Sequence, residues 1–196
     1  MPNPHFVKKT FGVRNRIMRF TMQRKARFIW EKIKPHLLQG STLDIGMGAG
    51  SISHMLAAKG FSVKGVDVHN FSLYQDLQPI LYNGEKLPFK DKQFTNAVII
   101  HVLHHCNDGV AVLKEAKRVA KRVIVIEDTY QSWFEWLFTS VSDALNNGEL
   151  WFHTYRTESE WKKIIKQHNW KLLHFSLWKE WFVAAIYGKY CMFVIE

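Results

Sequence analysis

Three short stretches of the chain hold side chains able to do chemistry. The first is Leu43-Asp44-Ile45-Gly46-Met47-Gly48-Ala49-Gly50, which leaves a short apolar run and opens a helical pattern. Glycines there let the backbone turn sharply and lie close to a ligand. The spacing is Gly-x-Gly-x-Gly. A dinucleotide fingerprint, Gly-x-Gly-x-x-Gly, would need a glycine at position 51, which is serine. Asp44, just ahead of the loop, suits a ligand carrying an ammonium group better than a pyrophosphate. The second feature is Asp67, at the end of Phe-Ser-Val-Lys-Gly-Val-Asp. A carboxylate at that place can accept hydrogen bonds from both hydroxyls of a ribose. The third is His101, His104, His105 and Cys106, with Asp128 and His153 further on. His104, His105, Asp128 and His153 are the candidates for holding or removing a proton. Asp128 reads equally well as a helix N-cap before Tyr130. His-x-x-His-His-Cys matches no standard zinc spacing, so no metal is expected.

These residues need strands to place them. Ser41–Ile45 is a short buried strand, Ser51–Lys59 a helix closed by Gly60, and Phe61–Asp67 a second strand. Pro79–Tyr82 and Phe94–Ile100 read as a third and fourth strand. Asp108–Ala120 repeats Val110, Leu113, Ala116 and Val119 at helical spacing, and Arg122–Glu127 is a fifth strand. An aromatic helical stretch follows from Tyr130 to about Leu145. Thr157 and Glu160 form a capping-box signature ahead of a helix through Gln167. Trp170–Trp178 and Trp181–Ile195 read as two strands with a turn near Lys179-Glu180. Strands alternating with helices predict a parallel sheet covered on both faces, here with one antiparallel hairpin at an edge. Ahead of all this, Asn15 to Leu38 is helical, with Ile17, Met18, Met22, Ile29 and Ile33 as its apolar stripe and Pro35 ending or kinking it.

Leu43–Gly50, Gly65–Asp67, Asn83–Phe89 and Phe94–His105 together resemble the small class I methyltransferases of the "type 11" kind. With the strand order, the resemblance covers roughly residues 25–130. It implies an α/β, Rossmann-like three-layer sandwich with a mostly parallel seven-stranded sheet and an antiparallel C-terminal edge hairpin. It also implies S-adenosylmethionine as cofactor. Asp44 and the loop glycines Gly46, Gly48 and Gly50 would face its methionine part, and Asp67 its ribose. Val68 would pack on the adenine. Asn83 would accept from the adenine amino group, and Gly84 would offer a backbone N–H to the ring. His101 would stand beside the methionine end. Residues 39–196 are then the methyltransferase domain, and residues 1–38 a basic arm and helix. Three positions depart from the pattern: Met47 replaces a small residue, Thr95 a frequent aspartate, and no Pro-Gly-Gly turn precedes the fifth strand.

The bulk composition sets the remaining bounds. At 196 residues the chain holds one α/β domain, and 47% apolar content excludes disorder over most of it. Cys106 and Cys191 make no disulfide framework, which fits a cytoplasmic setting. No apolar stretch is long enough to span a bilayer. The net charge is +10, and residues 1–36 alone carry ten Lys and Arg against Glu31. This basic segment reads as a helix covering the cofactor cleft, or as a contact for nucleic acid or for an anionic membrane surface through residues 8–34. Methyl transfer to a small-molecule acceptor is the leading expectation. The alternatives are an RNA methyltransferase using the basic segment and a non-catalytic partner subunit that binds S-adenosylmethionine. The aromatic residues Trp133, Phe134, Trp136, Leu137, Phe138, Trp151 and Phe152 read as core, or as a substrate cover in which His153 and Tyr155 reach the acceptor.

Overall fold

The computed structural model describes residues 13–137, 140, 154–182 and 186–196, with backbone alone at 13–17, 180–182 and 186–187. In chain order they form α1 (Val13–Ile33), β1 (Ser41–Ile45), α2 (Ser51–Ala58), β2 (Ser62–Asp67), β3 (Ile80–Leu81), β4 (Phe94–Ile100), α3 (Gly109–Val119), β5 (Ala120–Asp128), α4 (Glu158–Gln167), β6 (Leu172–Phe182) and β7 (Ile186–Ile195). The seven strands make one sheet in the order β3-β2-β1-β4-β5-β7-β6. β1 to β5 pair in parallel, and β7 is antiparallel to both β5 and β6. This is the expected Rossmann-like sandwich with an antiparallel C-terminal edge.

The central strands are buried on both faces, which is why they read as continuous apolar runs. On one face Leu43, Ile45, Ala97, Ile99, Val123 and Val125 pack with Leu113, Ala116 and Val119 of α3 and Trp161 and Ile165 of α4. On the other, Val98, Ile124 and Ile126 meet Leu56 of α2 and Ile29 and Ile33 of α1. The helix starts follow local chemistry. Asp108 caps α3 by accepting from the N–H groups of Val110 and Ala111, both at 3.0 Å. Thr157 and Glu160 form the expected capping box on α4.

Several boundaries differ from the pattern. α1 ends at Ile33, and Lys34–His36 forms a 3₁₀ turn around Pro35, which cannot continue the helix. Met18 and Met22 of the expected stripe are exposed, and burial begins at Ala26. β3 shrinks to two residues because it pairs only with Val66 and Asp67. β6 runs through Lys179-Glu180 to Phe182, so these two residues are strand and not turn. α3 passes directly into β5 at Ala120, which accounts for the missing turn motif. Residues 133–137 and 140 are helical, and the rest of the stretch expected from Tyr130 to Leu145 beyond them lies outside the described residues.

A buried asparagine ties α1's exit to the sheet. Asn96 of β4 donates to Leu38 O at 2.7 Å and accepts from Leu38 N–H at 3.0 Å. The last two turns of α1 are thus part of the core. Ile33→Ala is expected to lower stability by about 2–5 kcal/mol, read as a shifted urea midpoint. A shift worth less than about 1 kcal/mol would mean that α1 docks loosely.

Candidate active site

The carboxyl ends of β1, β2, β4 and β5 converge on one edge of the sheet, where open α/β folds bind their ligands. Gly46, Gly48 and Gly50 all have left-handed backbones, with φ of 73°, 52° and 79°. The N–H groups of Gly46 and Met47 both donate to Val66 O, at 2.9 and 3.0 Å, which stitches the loop to β2. A Cβ at position 46 would lie 2.4 Å from Val102 Cγ2. A Cβ at position 48 would meet nothing nearer than 4.0 Å, so the backbone there borders open space. Met47 fits because its neighbour is Gly65, where a Cβ would sit 2.1 Å from Met47 Sδ. The departure at 47 is thus absorbed one strand away.

Asp67 turns its carboxylate to this loop. Its Oδ2 accepts from Gly48 N–H at 2.7 Å and its Oδ1 from His69 N–H at 3.2 Å. Asp44 is buried beneath the loop and accepts from Ser53 Oγ at 2.7 Å. Burial pushes its carboxyl up to about 6; the Ser53 hydroxyl pulls it down, and the charge of Asp67 adds to the rise. Ser51 opens α2 with its Oγ buried and without a hydrogen-bond partner among the described residues. An unpartnered hydroxyl at a helix N-terminus, beside a glycine loop with open space, fits the carboxylate end of an amino-acid-bearing nucleoside.

Beyond β2, Val68 is 48% exposed and faces Gly84, whose Cβ would lie 3.4 Å from Val68 Cγ1. Asn83 uses both side-chain atoms on Glu85, at 3.1 Å each. Arg118 of α3 holds the following segment through Leu87 O and Phe89 O. On the other side, Tyr74 stacks on His54 of α2 at 4.3 Å, and Arg19 of α1 bonds Leu73 O and lies over the Tyr74 ring. The first turns of α1 therefore clasp the segment that closes over the glycine loop.

Past β4 the chain turns at His101, whose φ of 55° is unusual for a residue with a side chain. His101 Nδ1 lies 2.8 Å from Asp128 Oδ2. Burial alone would raise the Asp128 carboxyl, but the adjacent His101, with His104 and Lys25, holds it down to about 2. Asp128 therefore accepts, and His101 Nδ1 carries the proton. A second pair lies beside the first: His104 Nδ1 is 2.6 Å from Glu127 Oε2, and Glu127 Oε1 accepts from the N–H groups of Val102 and Leu103. His105 is exposed, its ring 4.1 Å from that of His104, and Tyr155 stacks on His104 at 5.1 Å. Burial lifts the Cys106 thiol to about 11, so it stays protonated. His153, Trp151, Phe152 and Phe138 lie outside the described residues.

Glu127 was missed in the sequence reading, where it closed a strand. One signal pointed to it: an acidic residue ending the apolar run Val123–Ile126 must find a partner when buried. In the structure the parallel register Ile100↔Ile126 sets the turn after His101 against residues 127 and 128.

Residues 43–123 match the family model described as a methyltransferase domain. The matched stretch runs from β1 into β5 and holds the glycine loop, Asp67, His101 and His104. An uncharacterized protein of Methanocaldococcus jannaschii is 36% identical over 97 residues, which cover 47% of this chain and 45% of that protein. A tRNA U34 carboxymethyltransferase of Nautilia profundicola is 32% identical over 102 residues, covering 45% of this chain and 34% of that enzyme. The chain thus spans less than half the length of these curated relatives. Among solved structures, magnesium protoporphyrin IX methyltransferase from Synechocystis, with S-adenosylhomocysteine bound, superposes with a TM-score of 0.63 at 16% identity. That likeness, covering 96% of this chain and 89% of the other, is one of fold.

Gly46→Ala puts a Cβ into Val102 and requires a left-handed alanine. It is expected to cost on the order of 2–4 kcal/mol, measured by denaturant unfolding. Gly48→Ala borders open space, so only the backbone strain remains, about 1–2 kcal/mol. Equal losses at the two positions would contradict this geometry.

Proposed function

We propose that the chain binds S-adenosylmethionine in the glycine-loop cleft and methylates a small-molecule acceptor, with residues 39–196 as the catalytic unit and residues 1–38 as a basic arm and helix laid on it. The observation that carries this reading is the pair of histidine–carboxylate contacts, His101–Asp128 at 2.8 Å and His104–Glu127 at 2.6 Å, at the strand edge that also presents the glycine loop. When bound, the cofactor supplies a methyl carbon made electrophilic by its sulfonium.

The chain's own residues do the rest. The backbone of Gly46, Gly48 and Gly50, with Asp44 and the Ser51 hydroxyl, would hold the amino-acid end. Asp67 would exchange its backbone hydrogen bonds for ribose hydroxyls, and Val68, Asn83 and Gly84 would border the adenine. Asp128 keeps the proton of His101 on Nδ1, which leaves Nε2 as the nitrogen that accepts a proton from an acceptor hydroxyl. Glu127 orients His104 in the same way, with His105 on the solvent side of its ring. Alignment of acceptor and methyl carbon, rather than a strong base, would supply most of the rate. The free thiols Cys106 and Cys191 support a cytoplasmic setting, and among the described residues no helix is long and apolar enough to cross a membrane.

Two observations favour a second reading, methylation of RNA: the identity with a tRNA-modifying enzyme, and the exposed Arg24 and Arg27 on α1 with Lys34 just after it. The two readings separate when the protein is incubated with isotope-labelled S-adenosylmethionine, a metabolite extract and bulk RNA. Label in low-mass compounds, reduced at least tenfold by Asp128→Asn, is expected. Label confined to RNA would select the second reading, and cofactor binding without any turnover would leave a binding subunit.

Cofactor affinity is also expected to depend on pH in a set direction. Asp44 is half protonated near pH 6, and an ammonium group pairs only with its ionised form. Affinity for S-adenosylhomocysteine is therefore expected to rise about tenfold from pH 5 to pH 7 and then level. Asp44→Asn removes the dependence. A flat profile for the unaltered protein would place the ammonium away from Asp44.

A further inference from the structure

The apolar side chains that face water are not spread evenly over the molecule. Phe20, Phe71, Leu81, Trp133 and Phe134 are between 49% and 66% exposed. All five stand at the carboxyl edge of the sheet, and none is among the cofactor-facing residues named above. Phe71 lies in the segment that follows β2, and Leu81 pairs with Asp67 at the end of that strand. Trp133 and Phe134 open the helical turn shortly after β5, with their rings 4.0 Å apart. Phe20 adjoins Arg19, which bonds Leu73 O above the glycine loop. At the opposite edge Leu38, Leu172 and Leu173 are no more than 38% exposed. Single apolar side chains in water are ordinary, but a concentration of large ones on one edge marks a contact surface.

Charge accompanies this apolar rim. The exit of α1 at Leu38 is tied to Asn96 near the amino end of β4, so the first half of the helix points to the carboxyl edge. That half carries Arg14, Arg16, Arg19, Arg24, Lys25 and Arg27, with no acid ahead of Glu31. Arg24 and Arg27 are exposed and form no ion pair among the described residues. Of the acids at this edge, Asp67 is buried, and Glu135 lies 3.8 Å from both Lys179 and Lys189. Asp76 and Glu85 are exposed there, too few to offset the cations. RNA phosphates would satisfy the arginines, but the aliphatic Leu81, Met18 and Met22, all exposed, have nothing to gain from them. A bilayer interface takes both kinds of side chain at once: cations among anionic headgroups, and aromatic and aliphatic groups at the acyl boundary.

We infer that the carboxyl edge of the sheet docks on an anionic bilayer surface. Phe20, Phe71, Leu81, Trp133 and Phe134 enter the headgroup region, and the basic half of α1 meets the lipid phosphates. The contact is peripheral. The glycine loop and the two histidine–carboxylate pairs, which share this edge, then open toward the interface and not toward bulk water.

The test sediments the full chain with vesicles of mixed phosphatidylglycerol and phosphatidylcholine, beside vesicles of phosphatidylcholine alone and beside bulk RNA. The anionic vesicles are expected to bind it about tenfold or more tightly than the neutral ones. Arg24→Gln combined with Arg27→Gln is expected to weaken that binding about tenfold. Trp133→Ser combined with Phe134→Ser removes apolar area and no charge, and is expected to weaken it to a similar degree, about tenfold. Phe20→Ser makes the same test on a separate element, with a severalfold loss expected. All these side chains are exposed, so the circular dichroism spectrum is expected to stay unchanged. No preference for the anionic vesicles, or binding that survives both apolar variants, would overturn the inference. Tighter binding to RNA than to the anionic vesicles would overturn it as well, and would assign the basic half of α1 to RNA.

Discussion

A carboxylate cannot be kept inside a protein without partners, and Glu127 is 1% exposed. It ends the apolar run of β5, and it answers the cost of burial with three contacts, two backbone N–H groups and the His104 ring. Those contacts dictate the course of the chain after β4. The backbone of Val102 and Leu103 must come down onto Glu127, which forces His101 into its left-handed turn and brings His104 inward. Asp128, one residue on, then receives His101. Val102, held in this way, packs over Gly46 and leaves no room there for any side chain. The glycine loop, the two histidines and the end of β5 are thus one unit, organised by a buried acidic side chain.

Much of this was legible in the residues. The succession of strands and helices follows from apolar runs alternating with helical periodicity, and the ends of those runs placed the glycine loop, Asp67 and the histidines on one edge. Capping at Thr157 was readable because it depends on two residues three apart. What was not legible depended on pairing between distant segments. The extent of β3 is set by its register on β2, not by the apolar character of Pro79–Tyr82. The run through Lys179-Glu180 looks like a turn locally, yet the ladder with β7 carries it on. Glu127 and Asp128 differ in partner through the parallel register with β4, a relation no local pattern contains.

α1 shows how one element can serve two ends. Its last turns, with Ile29 and Ile33, belong to the core of the sheet. Lys25 and Phe28 stand beside His101, and Arg19 reaches the backbone of Leu73 above the glycine loop. The charge concentrated near the start of the sequence is therefore partly drawn into the site rather than left wholly to solvent. A rigid anchor at one end gives the basic side chains at the other a defined address.

Met47 and Gly65 carry a consequence of a different sort. The thioether occupies the volume that a Cβ on the neighbouring strand would need, so the two positions compete for a single slot. Across an alignment of relatives, bulk at one should accompany its lack at the other. Evolution between the two arrangements must pass through a sequence in which both are small, because both large will not fit. A drifting lineage would cross that ground by way of a cavity, never by way of a collision.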